Sequence, residues 1–360
     1  MKKTKRIIIR TAFILLAAIM LGAPVLAQNL SKTIEVTFKD IKIYVDGEII
    51  IPTDASGKIV EPFIYEGTTY LPVRAVSEAL GKTVKWDSIT NSVYIGESIP
   101  QEITEITVGT AEELVAALGS NRRIILQEGE YNLTAVSPSY VNNPSVSYRE
   151  EFDGPELVLT GIHNLTIQGL GDNRSEIVVE PRYAFVMNFQ DCSNISIDNI
   201  KAGHTEGGYC AGGVFAFVNS SAIRINDTLM YGCGTYGLHL ECVMDMKVTD
   251  SSIYECTYGI ITVDSCADIS FENCIFRDNT GFNMVTVGNT SGFTIDSCEF
   301  LRNTPYWDNP YPMFSISQSE NIVVKNTRFV ENVANGLIEQ ENIEFDTSNT
   351  FENNQFDIFG

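Results

Sequence analysis

One pattern in the second half of the chain restricts its fold more than any other feature. A polar or small residue is followed by apolar residues one and three places later, eight times over. It starts as Asn164 with Leu165 and Ile167, then Asn194 with Ile195 and Ile197. It returns at Ala222, Asp245, Asp268, Gly292, Asn321 and Asn342, in steps of 30, 28, 23, 23, 24, 29 and 21 residues. Two further rows keep the same beat. Eight places after a start stand Met230, Ile253, Phe276, Phe300 and Phe329. Eleven places after stand Cys233, Cys256, Asn279, Asn303, Asn332 and Asn353. A glycine soon after that, such as Gly237, Gly259 or Gly281, leads into another apolar stretch.

Apolar residues at period two mark strands with one buried side. A unit this short cannot bury that side alone, so the units must stack. Leucine-rich repeats share the period but would show regular leucines, and a propeller blade is longer. The expected fold of residues 107–360 is therefore an all-β right-handed parallel β-helix, a solenoid whose coils lie about 4.8 Å apart. A short capping helix should open it. Thr110 can cap that helix, and Glu113 would complete a capping box. Leu114, Val115 and Leu118 form its apolar face, and Gly119 ends it. Such a helix would close the first coil and shield its edge.

All eight cysteines lie between 192 and 298. Cys210, Cys233 and Cys256 are 23 apart; Cys242 to Cys266 and Cys274 to Cys298 are 24 apart. These one-coil steps predict ladders of packed interior thiols, with some disulfides left open. The Cys-x-x-Cys spacing of a zinc site is missing.

The first 27 residues read as an export signal: a basic start (Lys2, Lys3, Lys5, Arg6, Arg10), an apolar run from Ala12 to Leu21, and small residues before Gln28. The run is short for a span of ~20 residues, so cleavage without membrane insertion is the expectation. The expected location is secreted or attached to the cell envelope. Of 24 basic residues, five lie in the signal, leaving 19 against 46 acidic and a net charge of −27. That balance argues against nucleic acid as partner. It also disfavours a polyanionic substrate unless cations bridge; calcium is the cofactor left open. A monomer is expected.

Residues 34–97 read as a small α+β domain, with 98–106 as linker. Asp46-Gly47 makes a hairpin turn, a helix runs from Val73 to Leu80, and Gly81 stands where helices end. Val45-Asp46-Gly47, Pro62 to Gly67, Thr69 to Arg74, Ala79-Leu80-Gly81 and Val84 to Asp87 closely resemble the copper amine oxidase N-terminal-like domain. The resemblance implies an accessory module of exported Gram-positive proteins. Copper would want imidazole ligands, and residues 28–100 hold no His, so no amine oxidase is implied. A plain spacer is the simpler alternative.

Gly169-Leu170-Gly171 with Glu176-Ile177-Val178 resembles the early coils of the pectate-lyase-like superfamily. That superfamily spans lyases, hydrolases, epimerases and adhesins, so the resemblance does not choose a function. The residue patterns of a galacturonase are missing, and no acidic calcium cluster is assignable.

Any site should sit where long coils eject loops, near 203–212 and 304–312. The floor between them would carry Tyr236, Tyr258 and Phe282, and the segment 137–154 would add a wall with Tyr148. Tyr306, Trp307 and Tyr311 complete an aromatic set suited to a polysaccharide, because flat rings stack on sugars. If the chain cleaves its ligand as a lyase or glycoside hydrolase, His204 and Glu206 form the acid/base pair, with Arg182 steadying negative charge. His204 could equally be a turn residue, and the Trp307 loop could simply cover the coil. The rival function is a non-catalytic structural or adhesive surface protein.

Overall fold

The computed structural model describes residues 34–54, 57–87, 92–96, 103–206, 212–232, 234, 236–305, 311–338 and 343–356. It divides into two compact units, residues 1–99 and 100–360. The export signal lies outside the described residues.

The first unit is built from hairpins. Ile43–Val45 pairs antiparallel with Glu48–Ile50, and Phe63–Tyr65 with Thr68–Tyr70. Both turns have two left-handed residues, Asp46-Gly47 and Glu66-Gly67, which match the twist of tight hairpins. Helix α1, Val73–Ala79, and the hairpin Val84–Asp87 with Ser92–Ile95 complete the α+β module. Phe63 stacks on Tyr70 with ring centroids 5.2 Å apart.

The second unit is a parallel β-helix with three sheets. Sheet A has ten strands, sheet B nine and sheet C eight. One coil shows the plan. Ser221–Asn226 lies in sheet A, Leu229–Tyr231 in sheet B, and Tyr236–Glu241 in sheet C. Each bonds in parallel to the strand 23 residues on, as Ile223 to Met246, Met230 to Ile253 and Leu238 to Ile261. Like stacks on like inside: Ile197, Ile225, Val248, Phe271, Ile295 and Val324 form one continuous buried row.

The backbone explains the start row. Asn164, Asn194, Ala222, Asp245, Asp268 and Asn321 are all left-handed, with φ between 53° and 57°, and Gly292 follows at 78°. Asn, Asp and Gly adopt this region most cheaply. The three corners use the same device. Asp191 and Asn219 turn C into A, Asn199 and Asp227 turn A into B, and Asp278 and Glu331 turn B into C.

Beside most left-handed corner residues, a side chain points inward and accepts from the backbone N–H of the coil before. At the corner from C to A, Ser220 Oγ accepts from Cys192 N at 3.0 Å and Thr290 Oγ1 from Cys266 N at 3.2 Å. At the corner from A to B, Cys298 Sγ accepts from Cys274 N at 3.3 Å and Thr327 Oγ1 from Cys298 N at 3.3 Å. At the corner from B to C, Asn279, Asn303 and Asn332 do the same. These ladders give the buried backbone its partners where strand pairing stops.

Three readings change. Residues 104–106, expected in the linker, are already strand: Thr104–Val108 pairs in parallel with Arg122–Leu126 as the first rung of sheet A. The last rung of the asparagine ladder is Asn354, not Asn353. Sheet A steps by 21 there (Ile322 to Ile343) and sheet B by 22 (Phe329 to Phe351), so the final coil gains one residue in its turn. Cys242 does not stack on Cys266. Glu241 pairs with Asp264, which sets Cys242 beside Ser265 in the exposed left-handed row and Val243 beside Cys266. Cys192, Cys256, Cys266, Cys274 and Cys298 are buried free thiols, and Cys242 is an exposed one. Cys210 and Cys233 lie outside the described residues.

The capping helix α2 runs Ala111–Ala117, with Leu114, Val115 and the following Leu118 fully buried. Thr110 Oγ1 accepts from Glu113 N at 3.2 Å. The Glu113 carboxylate reaches one residue further back than a standard capping box, accepting from Gly109 N at 2.7 Å.

Candidate functional site

The corner from B to C gathers aromatic side chains from four coils. Tyr236, Tyr258, Phe282, Asn283 and Tyr311 line an open hollow of about 260 Å³. The rings come one per coil and run along the helix axis. Centroids lie 6.1 Å apart from Tyr236 to Tyr258, 4.9 Å from Tyr258 to Phe282 and 6.4 Å from Phe282 to Tyr311. Each pair meets edge to face, the favoured geometry for rings at these separations. Tyr258, Phe282 and Tyr311 keep 39%, 37% and 41% of their surface exposed, so the hollow presents ring area to solvent. Burial pushes the Tyr236 phenol up, so it stays a neutral donor.

Two glycines seat these rings. Gly259 has φ 158°, and a Cβ there would come within 2.5 Å of the Tyr236 ring and 2.4 Å of the Asn283 carbonyl. Gly281 has φ 153°, and its Cβ would meet the Tyr258 backbone at 2.3 Å. Gly259 therefore allows its coil to pass under the Tyr236 ring, and Gly281 lets the next coil approach the Tyr258 backbone. Asn283 Oδ1 is buried with no hydrogen-bond partner among the described residues. A buried acceptor left unpaired costs about 1–3 kcal/mol, which a donor from a ligand would recover.

The expected aromatic set is thus partly assembled. Tyr236, Tyr258 and Tyr311 converge, and Phe282 joins them as the floor reading required. Asn283 was missed, because nothing in the repeat marks an asparagine two places after the corner glycine. Tyr306 and Trp307 lie outside the described residues. Tyr148 is elsewhere. It sits on the hairpin Val146–Glu151 with Gly154–Thr160, packs against the core, and donates to the Leu133 carbonyl at 3.2 Å. Burial pushes its phenol up to about 12.

The proposed acid/base group does not form in this hollow. His204 is 3% exposed, and its Nε2 lies 2.9 Å from the Ala184 carbonyl. Burial holds its pKa below the usual imidazole value. It ends the sheet B strand Ile200–His204, where its ring turns into the corner rather than to solvent. Glu206 is exposed, and no bond ties it to His204. Asp153 tethers the Arg182 segment by accepting from Arg182 N at 2.8 Å and Tyr183 N at 3.1 Å, and the Arg182 side chain lies 4.0 Å from the same carboxylate. Asp153 thus holds the turn that carries Arg182, and His204 Nδ1 is buried without a hydrogen-bond partner among the described residues.

One buried carboxylate was not foreseen. Glu156 accepts from Arg149 Nη2 at 2.6 Å, Phe185 N at 2.7 Å and Asn188 Nδ2 at 3.0 Å. It ties the hairpin, which forms the edge of sheet C, to the next strand through Asn188, and burial raises its pKa. Among the described residues no three His, Cys, Asp or Glu side chains gather where a metal could be held. No helix there is long and apolar enough to cross a membrane.

Residues 22–95 and 57–115 match the copper amine oxidase N-terminal domain, and residues 186–356 match the right-handed β-helix region. No curated protein matches the chain. Among solved structures, pectin methylesterase from Aspergillus niger is 13% identical, covering 72% of this chain and 86% of its own, with a TM-score of 0.40. An alginate lyase from a Paenibacillus species is 12% identical over 70% of this chain and 99% of its own, TM-score 0.36. A pectate lyase from another Paenibacillus is 9% identical over 71% and 79%, TM-score 0.38. Overlaps this low transfer no activity. On its sequence families and its coil stack, the chain is a copper amine oxidase N-terminal-like domain followed by a right-handed β-helix domain.

Proposed function

We propose that the β-helix binds a polysaccharide in the hollow formed by Tyr236, Tyr258, Phe282, Asn283 and Tyr311, and does so without cleaving it. The observation that carries this reading is the row of rings, one per coil, along the direction in which a glycan chain would lie. Sugar faces pack on aromatic rings, and a few polar groups fix their orientation. Binding without chemistry is favoured because the described lining residues include no carboxylate or imidazole, and His204 is held by a backbone carbonyl. The basic and apolar start of residues 1–27 supports an exported or envelope-attached protein, with the first unit as its accessory module.

A glycan array followed by calorimetry on the purified chain tests the reading. Binding to at least one polysaccharide, lost in Tyr258→Ala and Phe282→Ala, is the expected result, with no new reducing ends or unsaturated products. Failure to bind any plant, algal or cell-wall glycan would overturn it. Turnover that survives in Tyr258→Ala but vanishes in His204→Ala would instead favour an enzyme working at the other corner.

A further inference from the structure

We infer that this hollow selects a glycan chain free of carboxylates and rejects polyuronates. The inference rests on the binding reading above and adds the chemical class of the ligand.

The first observation is the distribution of charge among the sheets. The sheet C strands from Met187–Gln190 to Phe314–Ser317 contain Glu241 and Asp264 but no Lys or Arg. Most cations of the stack lie on the other two faces and are paired there; Arg149 on the sheet C hairpin and Arg182 at an earlier corner from B to C face Glu156 and Asp153. Arg224 holds Asp245, Lys247 holds Glu272, and Lys325 holds Asp296 on sheet A and its turns. Lys201 holds Glu176, and Arg328 holds Glu299 and Glu352, on sheet B. Arg277, at the end of its sheet B strand, and Arg302, in the left-handed row of the corner from B to C, both bind Asp278. A uronate chain needs charged donors, above all the bidentate fork of Arg, to replace the water around each carboxylate. Among its described lining residues the hollow offers none, within a chain whose net charge is −22.

The second observation concerns a buried polar atom of the lining that has no partner among the described residues. Asn283 Oδ1 is a buried acceptor without a donor. A sugar hydroxyl donates, whereas an ionised carboxylate only accepts. Placing a carboxylate at this oxygen would set two acceptors together in a partly dry site. The hydroxyl-bearing face of an uncharged sugar fits it.

The aromatic row adds to this, because ring faces carry negative potential that disfavours anions. Charge, hydrogen-bond polarity and ring electrostatics therefore agree.

The test is calorimetric titration of the full chain with two probe hexasaccharides of matched length, an uncharged β-linked hexaose and an oligogalacturonate, in EDTA to remove bridging calcium. The uncharged chain should bind, and the uronate should bind at least about tenfold more weakly. Replacing both Glu241 and Asp264 with Lys should narrow that gap, with the fold checked by circular dichroism. Uronate binding as tight as the uncharged chain, abolished by Tyr258→Ala, would overturn the selectivity while leaving the binding site in place. No binding of either probe, nor of any glycan on the array, would overturn the site itself.

Discussion

The carboxamide oxygen of Asn303 accepts two bonds from Asn279 one coil away: from its backbone N–H at 3.1 Å and from its side-chain Nδ2 at 2.9 Å. Asn303 Nδ2 in turn donates to the Phe276 carbonyl at 2.8 Å. Both residues are fully buried, so no water can substitute. Removing one rung should therefore expose its neighbours' unmet groups. Asn303→Ala is expected to cost about 3 kcal/mol, from orphaned backbone and amide groups plus a small void. The urea midpoint of unfolding measures this. A loss below about 1 kcal/mol would show that the corner can relax.

Ala222 is the one start-row residue whose side chain suits neither a left-handed backbone nor a ladder. Its φ is 54°. The two rungs before it are Asn164 and Asn194, whose side chains bond at 2.8 Å. Ala222→Asn should relieve strain and extend this row, raising stability by about 0.5–1 kcal/mol. Thermal unfolding checks the sign, and a lower melting temperature would contradict the strain assignment.

The rings of the hollow are seated by glycines, so binding and backbone should be separable. Phe282→Ala should weaken glycan binding by about 1 kcal/mol or more with little effect on folding, since the ring is exposed. Gly259→Ala should also weaken binding, because its Cβ displaces Tyr236, and should lower stability as well. Equal binding in all three proteins would remove the hollow from consideration.

His204 gives a pH dependence of definite sign. Burial holds its folded pKa below the unfolded value of about 6.5. Its neutral form is the one the fold tolerates. That contribution is complete above the unfolded pKa and is lost as pH falls toward the folded value. Urea midpoints should drop on acidification below about pH 6.5, and His204→Gln should flatten the slope. His239 is held down by burial too, so part of the slope will persist. An unchanged slope in the variant would assign the effect elsewhere.

The thiols should divide by register. Burial pushes Cys192 and Cys266 up to about 11, and both are shielded. Cys242 is exposed. Mild alkylation of the native protein, followed by peptide mapping, should label Cys242 and leave Cys192, Cys256, Cys266, Cys274 and Cys298 until urea is added. Native labelling of Cys266 would contradict the ladder.

The repeat determined most of the coil stack. Period-two apolar residues, left-handed Asn and Asp, and inward Asn and Cys are local requirements repeated in every coil, so they leave a readable row in the sequence. The family resemblance of residues 34–97 was legible for the same reason, through turn glycines with positive φ such as Gly47 and Gly67. Tyr236, Tyr258 and Phe282 were legible as a floor because each stands next to its corner glycine.

Only the tertiary structure decided the rest. One-residue slips set Cys242 outside while Cys266 points in, and a one-residue shift carries a side chain to the other face. An extra turn residue moved the last ladder rung to Asn354. His204 and Tyr148 carry chemistry that suits a site, yet neither lines the hollow and each meets a backbone carbonyl. Asn283 became visible only once its oxygen was seen buried and unpaired. Such outcomes depend on which neighbouring coil lies against a side chain. Spacing along one chain fixes how far apart two residues are, and stacking fixes what each of them meets.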